Sequence, residues 1–367
     1  MAKNVKRKPI ADAEVEDNVQ FLQELADKVN KSLDRDTIMV GDNVGDSNVP
    51  YWILTGIPAL DFAIGGKCHP GIPGARITEI FGPEAVGKST LTLWIMKQAI
   101  EQQKAIAYHQ DAERVLTPEI IKGTGINMNR VMRDQPDTLE EVFDAQEAML
   151  EELHGRKYAV VTILDSIAAC STMAEIDGDM GDQQVGSHAR VMSKGLRKIK
   201  SAILESYVLS LWVNQTREKI GGMSWGDNTT TFGGKAMSFY ASVRIKLSKI
   251  KTLKKNKDGD AYGCTIEATV VKDKVAPPLR KAHYDILFIQ DKDGSYPRLD
   301  IEGALLDWCR DNDLIGGNKS AGRYELNGKS MYRDQARQML MDDPELFKEI
   351  WDLAYSLATQ SESESDE

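Results

Sequence analysis

The chain has 367 residues, 41% hydrophobic and 28% charged, with 46 basic against 56 acidic side chains. That composition excludes wholesale disorder, and no apolar run approaches the ~20 residues needed to cross a bilayer. Residues Met341–Glu367 hold nine acids and one base, so −8 of the net −10 is terminal and the body keeps room for basic surfaces.

Lys3, Lys6, Arg7 and Lys8 are followed by Glu14, Glu16 and Asp17 rather than an apolar stretch, which argues against a secretory leader. The cysteines, Cys68, Cys170, Cys264 and Cys309, lie far apart and suit a reducing compartment better than a disulfide frame or zinc site. Val15, Val19, Leu22, Ala26, Val29 and Leu33 recur at three- and four-residue steps and predict an amphipathic helix. A short strand is expected at Thr37–Val40. This lone helix and strand must dock, either on the same chain or on a neighbouring subunit.

From Tyr51 to about Gln290 apolar runs alternate with helical stretches. Strands are expected at Ile77–Phe81, Ala105–Tyr108, Ala159–Leu164 and Val208–Val213. Helices are expected near Lys88–Gln102, Leu139–Leu153 and Arg190–Ser206. That alternation predicts an α/β fold with a mostly parallel, twisted sheet. Val243, Ile245 and Leu247 then alternate with polar residues, a second run follows at Cys264–Val271, and Asp258-Gly259 marks a hairpin turn between them. Lys246, Lys249, Lys251, Lys254, Lys255 and Lys257 crowd this hairpin, either as solvated strand charges or as an accessory duplex-binding ridge. Beyond Gly294 a small, mostly helical unit is expected from Gly303 to Ala358. The serine- and acid-rich Gln360–Glu367 has nothing apolar to bury and is expected to be disordered.

Gly82-Pro83-Glu84-Ala85-Val86-Gly87-Lys88-Ser89 fits GxxxxGK[ST] between a strand and a helix and runs on to Thr90. Closely spaced backbone N–H groups and a helix N-terminus cradle phosphates, Lys88 reaches the terminal phosphates, and the Ser89 hydroxyl can ligate Mg²⁺. Val160–Asp165 is a buried-type strand ending in a carboxylate, placing Asp165 as the second metal ligand. Asp111 and Glu113 leave the strand Ala105–Tyr108 towards the same crevice. Glu113 is the candidate base that activates water, with Asp111 as the alternative.

These residues resemble the RecA family of bacterial recombinases, nearly end to end. The resemblance is carried by eight ordered stretches: FGPEAVGKSTLTL, DAERVL, QPDT, LDSIAA, AEIDGDMGD, NQTREKIG, TTTFGGKAMSFYASVR and VVKDKVAPP. It implies a RecA-like P-loop NTPase core over 49–290, an N-terminal polymerisation segment over 1–48, a small C-terminal α+β domain over 291–359 and an acidic tail over 360–367. It also implies an ATP- and Mg²⁺-dependent DNA-stimulated ATPase that forms a helical filament on single-stranded DNA and exchanges strands with a homologous duplex. Loading and single-strand-binding proteins are the implied accessory partners. No membrane is implied, and the implied location is the bacterial cytoplasm, or a host's if the chain is phage-encoded. An assembly or signalling platform without strand exchange is the competing reading, and a small-molecule kinase a more distant one.

The resemblance assigns roles residue by residue. Gln215 is the sensor of the terminal phosphate, Lys272 and Lys274 reach the nucleotide of the adjacent subunit, and Phe239 falls at a subunit contact. Two loops, 176–186 and 216–234, are the DNA-binding loops. Val185, Arg190, Ser193 and Arg197 match contacts of the first loop and its following helix. Lys219, Ile220, Gly233, Gly234 and Lys235 match those of the second. Single-stranded DNA needs phosphate donors, positive charge and apolar surface for base faces, and the second loop holds all three. The chain departs from the family at Ile120, where a tyrosine usually faces adenine. It departs also at the polar His109-Gln110, at Val185 where methionine is usual, and at Lys235, which replaces asparagine.

Overall fold

The computed structural model describes residues 12–34, 38–40, 49–179, 186–218, 229–256, 258–291 and 294–363. The chain divides into two units, Met1–Asn48 and Val49–Glu367. In the first, helix α1 (Asp12–Leu33) leaves Phe21, Leu22, Leu25 and Leu33 exposed and buries Ala26. The strand expected at Thr37–Val40 is not formed: residues 38–40 lie in no regular element, and Thr37 lies outside the described residues. The physical reason is local. The Asn30 amide takes both backbone groups of Ile38, donating to its carbonyl at 2.8 Å and accepting from its N–H at 2.9 Å. Those groups would otherwise pair with a strand.

The second unit opens with β1 (Trp52–Ile53), α2 (Pro58–Gly65) and β2 (Ile72–Pro73), the two strands pairing antiparallel. The alternating core follows as β3 (Ile77–Gly82), α3 (Lys88–Gln103), β4 (Ile106–Asp111), α4 (Pro118–Thr124), β5 (Val131–Asp134), α5 (Leu139–Leu153) and β6 (Val160–Asp165). Next come α6 (Met173–Asp177), α7 (Ser187–Glu205), β7 (Val208–Glu218), β8 (Thr229–Thr231) and α8 (Ala236–Tyr240). Strands β9 (Val243–Lys254), β10 (Ala261–Asp273), β11 (Lys281–Asp291) and β12 (Gly294–Leu299) complete the large sheet. Its order is β12-β11-β10-β9-β3-β7-β6-β4-β5, with β8 paired to β7. From β9 to β5 neighbours run parallel, whereas β9 through β12 are antiparallel.

Strands β3 and β6 are buried at every position, as central parallel strands are, and the one internal charge, Glu79 on β3, accepts from Asn214 and Arg244. Helix α5 begins at a capping box in which Thr138 and Glu141 satisfy each other's backbone N–H groups. Lys249, Lys251, Lys254 and Lys255 are exposed around the end of β9, and Lys257 lies outside the described residues. Strand β12 carries the sheet to Leu299, past residue 290, where the sequence ended the core.

The carboxyl-terminal part holds α9 (Ile301–Asp311), the hairpin β13 (Arg323–Leu326) and β14 (Lys329–Tyr332), α10 (Arg333–Asp342) and α11 (Pro344–Ser363). Helix α11 runs beyond Gln360, where the sequence expected structure to cease, and residues 364–367 lie outside the described residues. One charge network ties these elements to the sheet. Arg333 on α10 meets Asp285 of β11 at 3.2 Å, Asp300 at 3.0 Å and Asp307 of α9 at 2.9 Å.

The polar departures at 109 and 110 are both buried on β4. Gln110 donates to the Val142 carbonyl at 3.2 Å and accepts from Gln146 at 2.7 Å, so its amide is satisfied. His109 has neither ring nitrogen hydrogen-bonded among the described residues. Burial pushes its pKa down to about 4, with Asp111 opposing and Arg133 adding to the shift. The unfolded imidazole titrates at 6.5, so the unfolded chain takes up a proton that the folded chain refuses. The contribution of His109 to stability is therefore expected to be lost as pH drops from roughly 6.5 to 4. His109→Phe should remove that slope in urea titrations at successive pH values. An unchanged slope in the variant would show that another group governs it.

Candidate active site

The phosphate loop lies between the end of β3 and the start of α3. Ala85 (φ 52°) and Gly87 (φ 85°) take left-handed backbone, turning successive N–H groups towards one point. Gly82 is fixed by close approach to backbone, and Gly87 chiefly by its left-handed φ. A Cβ on Gly82 would sit 2.4 Å from the Leu247 carbonyl oxygen, and one on Gly87 would sit 2.2 Å from Ile286 Cδ1. Lys88 is nearly buried, and its ammonium donates to the carbonyls of Pro83 at 2.7 Å and Gly82 at 3.4 Å. Burial draws its pKa down, against the pull of Glu113, Asp165 and Glu84.

Three strands deliver the remaining groups. β4 and β6 are in parallel register with Asp111 beside Asp165, and β7 brings Gln215 level with Gly82 on β3. The Glu113 N–H donates to the Asp165 carbonyl at 2.9 Å. One oxygen of its carboxylate, Oε1, accepts from the Ser166 hydroxyl and from the Gln215 amide, the latter at 3.3 Å. Asp111 is engaged otherwise. Fully buried, it accepts from the N–H groups of Val115 at 2.8 Å and Leu116 at 3.2 Å and pairs with Arg133 at 3.5 Å. Asp111 thus shapes the turn, while Glu113 opens onto the cavity.

That cavity, about 630 Å³, is lined by Glu84–Thr90, Glu113 and Gln215 on one side. The other side comprises Cys264, Ile286, Phe288, Ser295, Tyr296 and Pro297 of β10–β12. Sequence reasoning missed this second wall, because only the strand order brings β10–β12 around to the phosphate loop. Ile120 does not line the cavity. It packs half-buried against the core.

The residues fit a magnesium ion. Neither oxygen of the buried Asp165 carboxylate has a hydrogen-bond partner of ordinary geometry among the described residues. Burial pushes its pKa up to about 7, the nearby Ser89 hydroxyl acting against that rise and Glu113 with it. No cluster of three or more His, Cys, Asp or Glu suited to a metal occurs among the described residues. A single carboxylate and a hydroxyl are what Mg²⁺ uses when phosphates and water fill its other positions.

Of the expected DNA contacts, Val185, Lys219 and Ile220 lie outside the described residues. Arg190, Ser193 and Arg197 share one face of α7. Gly233 and Gly234 abut that helix: Cβ atoms there would stand 2.9 Å from Met192 Cγ and 3.0 Å from Ala189 Cβ. Lys235 follows, exposed, at the N-cap of α8. The stems of the two loops therefore meet. Phe239 is 71% exposed. Lys272 and Lys274 do not line the phosphate-loop cavity; they flank Phe239 in a separate one.

The family pattern of the RecA N-terminal domain matches residues 20–292. The chain is 39% identical over 311 residues to Protein RecA of Streptomyces coelicolor, covering 84% of this chain and 78% of that protein. It is 36% identical over 325 residues to Protein RecA of Arthrobacter sp., covering 88% and 87%. With Protein RecA of Heliobacterium modesticaldum the identity is 35% over 338 residues, covering 91% and 92%. A likeness of that reach spans every strand that delivers a group to the phosphate loop, and the chain belongs to the RecA family.

Proposed function

We propose that this chain is a DNA-dependent ATPase of recombination and repair that forms a helical filament on single-stranded DNA and exchanges strands with a homologous duplex. The observation that carries the reading is the contact between Gln215 and Glu113, because one strand, β7, holds the nucleotide sensor and runs on into the stem of a DNA loop. Lys88 exchanges its loop carbonyls for the terminal phosphates of ATP. Ser89 and Asp165 hold Mg²⁺, which when bound neutralises the charge developing on the phosphates. Glu113, anchored through Oε1, presents its other oxygen to a water and takes its proton. A terminal phosphate competes with Glu113 for the Gln215 amide, and the shift passes along β7 to its pairing with β8.

Lys274 supports a nucleotide shared between subunits. Its N–H bonds Ser242, whose own N–H bonds Ile77 at the start of β3. The phosphate loop leaves the other end of β3, roughly 17 Å away, so the ammonium serves another copy's site. The exposed apolar side chains of α1 supply a further contact between copies. DNA is met by Arg190, Ser193, Arg197, Gly233, Gly234 and Lys235, joined by Val185, Lys219 and Ile220. Loading and single-strand-binding proteins are the accessory partners, and the cytoplasm is the site of action. No helix among the described residues is long and apolar enough to cross a membrane.

A strand-transfer assay between circular single strands and homologous linear duplex tests the reading. Joint molecules and nicked circles are expected with ATP. DNA-stimulated hydrolysis without joint molecules would instead identify an assembly platform.

A further inference from the structure

The two expected DNA loops leave and rejoin the core at their stems, and a side chain from each stem enters one stack. Glu175 on α6 precedes the first loop, and His188 on α7 follows it. Arg217 on β7 opens the second loop, and Phe232 closes it just after β8. Glu175 takes both leading side chains of α7. Its Oε1 accepts from the Ser187 hydroxyl at 3.0 Å, and its Oε2 lies 2.9 Å from His188 Nε2. A carboxylate only accepts, so Nε2 is the donor. The His188 ring then meets Phe232, with centroids 6.5 Å apart and planes tilted by 54°. The Arg217 guanidinium lies over the Phe232 ring, 3.3 Å from its centroid, where the π-face attracts a cation. The hydrolytic steps use none of these contacts.

Phe232 is also tied to the nucleotide side. Its carbonyl accepts from Asn214 Nδ2 at 3.1 Å, and the same nitrogen donates to the buried Glu79 at 2.8 Å. Asn214 Oδ1 accepts from the N–H of Gln215 at 2.9 Å. Asn214 is fully buried, so a displacement that broke these bonds would strand polar groups away from water. A shift at Gln215 therefore reaches Phe232 through one residue, and Phe232 touches His188 at the stem of the other loop. Gly233 and Gly234, packed on Met192 and Ala189, leave the end of the second loop little room to move without α7.

We propose that Glu175, His188, Phe232 and Arg217 clamp the stems of both loops together, so that ATP sensed at Gln215 resets the first DNA loop along with the second. His188 is the central positioning residue. This rests on the reading that Gln215 relays the nucleotide into DNA binding.

The readout is the factor by which a slowly hydrolysed ATP analogue tightens binding of a fluorescent single-stranded oligonucleotide by the full chain. His188→Ala is expected to cut that factor at least ~5-fold, the lower end of couplings between sites, with DNA-free turnover unchanged. His188→Gln, a milder change that keeps a donor for Glu175 but no ring for Phe232, should lose a similar share. A merely structural lesion would weaken binding equally with and without nucleotide and leave the factor as it was. Arg217 acts through the same ring, so adding Arg217→Ala to His188→Ala should do no more damage than the worse single variant. An unchanged factor in both His188 variants, or additive losses in the double variant, would overturn the clamp and leave the relay through Gln215 standing. No tightening by the analogue in the wild-type chain would overturn the relay itself, and the clamp with it.

Discussion

Replacing Glu113 by glutamine is expected to slow ATP turnover at least ~10²-fold, about 2.7 kcal/mol in barrier, while ATP binding and filament formation persist. The substitution keeps the shape of the side chain. Its amide oxygen can still accept from Ser166 and Gln215, so the anchoring contacts survive. What it removes is the capacity to take a proton from water. Asp111 cannot take over, because both its oxygens hold backbone N–H groups of the following turn and it has no exposed surface. Single-turnover hydrolysis on single-stranded DNA, beside binding of a fluorescent nucleotide, separates the two effects. Near-normal hydrolysis by Glu113→Gln would require a base elsewhere in the cavity.

The second large effect is on stability. Arg333→Met is expected to cost about 3–5 kcal/mol, the range for breaking a buried ion pair from one side. Burial opposes the Arg333 charge, but Asp307, Asp300 and Asp285 outweigh it and raise the pKa above its ordinary value. Without the guanidinium, the fully buried Asp300 side chain keeps, among the described residues, Arg337 at 3.9 Å and the Gly303 N–H at 3.3 Å. Methionine fills similar volume, so the loss measures charge rather than a void. Urea denaturation gives the magnitude. Cys309, buried on α9 with its thiol 3.7 Å from the Ile350 carbonyl of α11, reports where the damage lies through its rate of thiol labelling. A loss below about 1 kcal/mol, the scale of an exposed pair, would mean the network is not holding these helices.

What was legible in the sequence follows from how far apart the interacting residues are. The phosphate loop is contiguous, and its glycines, Lys88 and Ser89 act within one turn of chain. Asp165 ends a buried strand, so strand–helix alternation carried it towards the crevice, whereas Gln215 lies inside β7 and was singled out by the resemblance alone. The choice between Asp111 and Glu113 was not legible, because it depends on which carboxylate the turn at Val115 and Leu116 consumes. The wall formed by Cys264, Ile286, Phe288 and Tyr296 was equally hidden. It exists because antiparallel strands are added beside β9, and pairing order is not written in any local pattern. Thr37–Val40 has the composition of a strand, yet the Asn30 amide occupies the groups that a strand would pair.

Steady-state ATP turnover across a wide range of protein concentration, with and without single-stranded DNA, tests the central claim most directly. The shared site predicts that turnover per chain is low without DNA and rises steeply as copies assemble on the strand. Full-speed hydrolysis by dilute, isolated chains, indifferent to DNA, would contradict it.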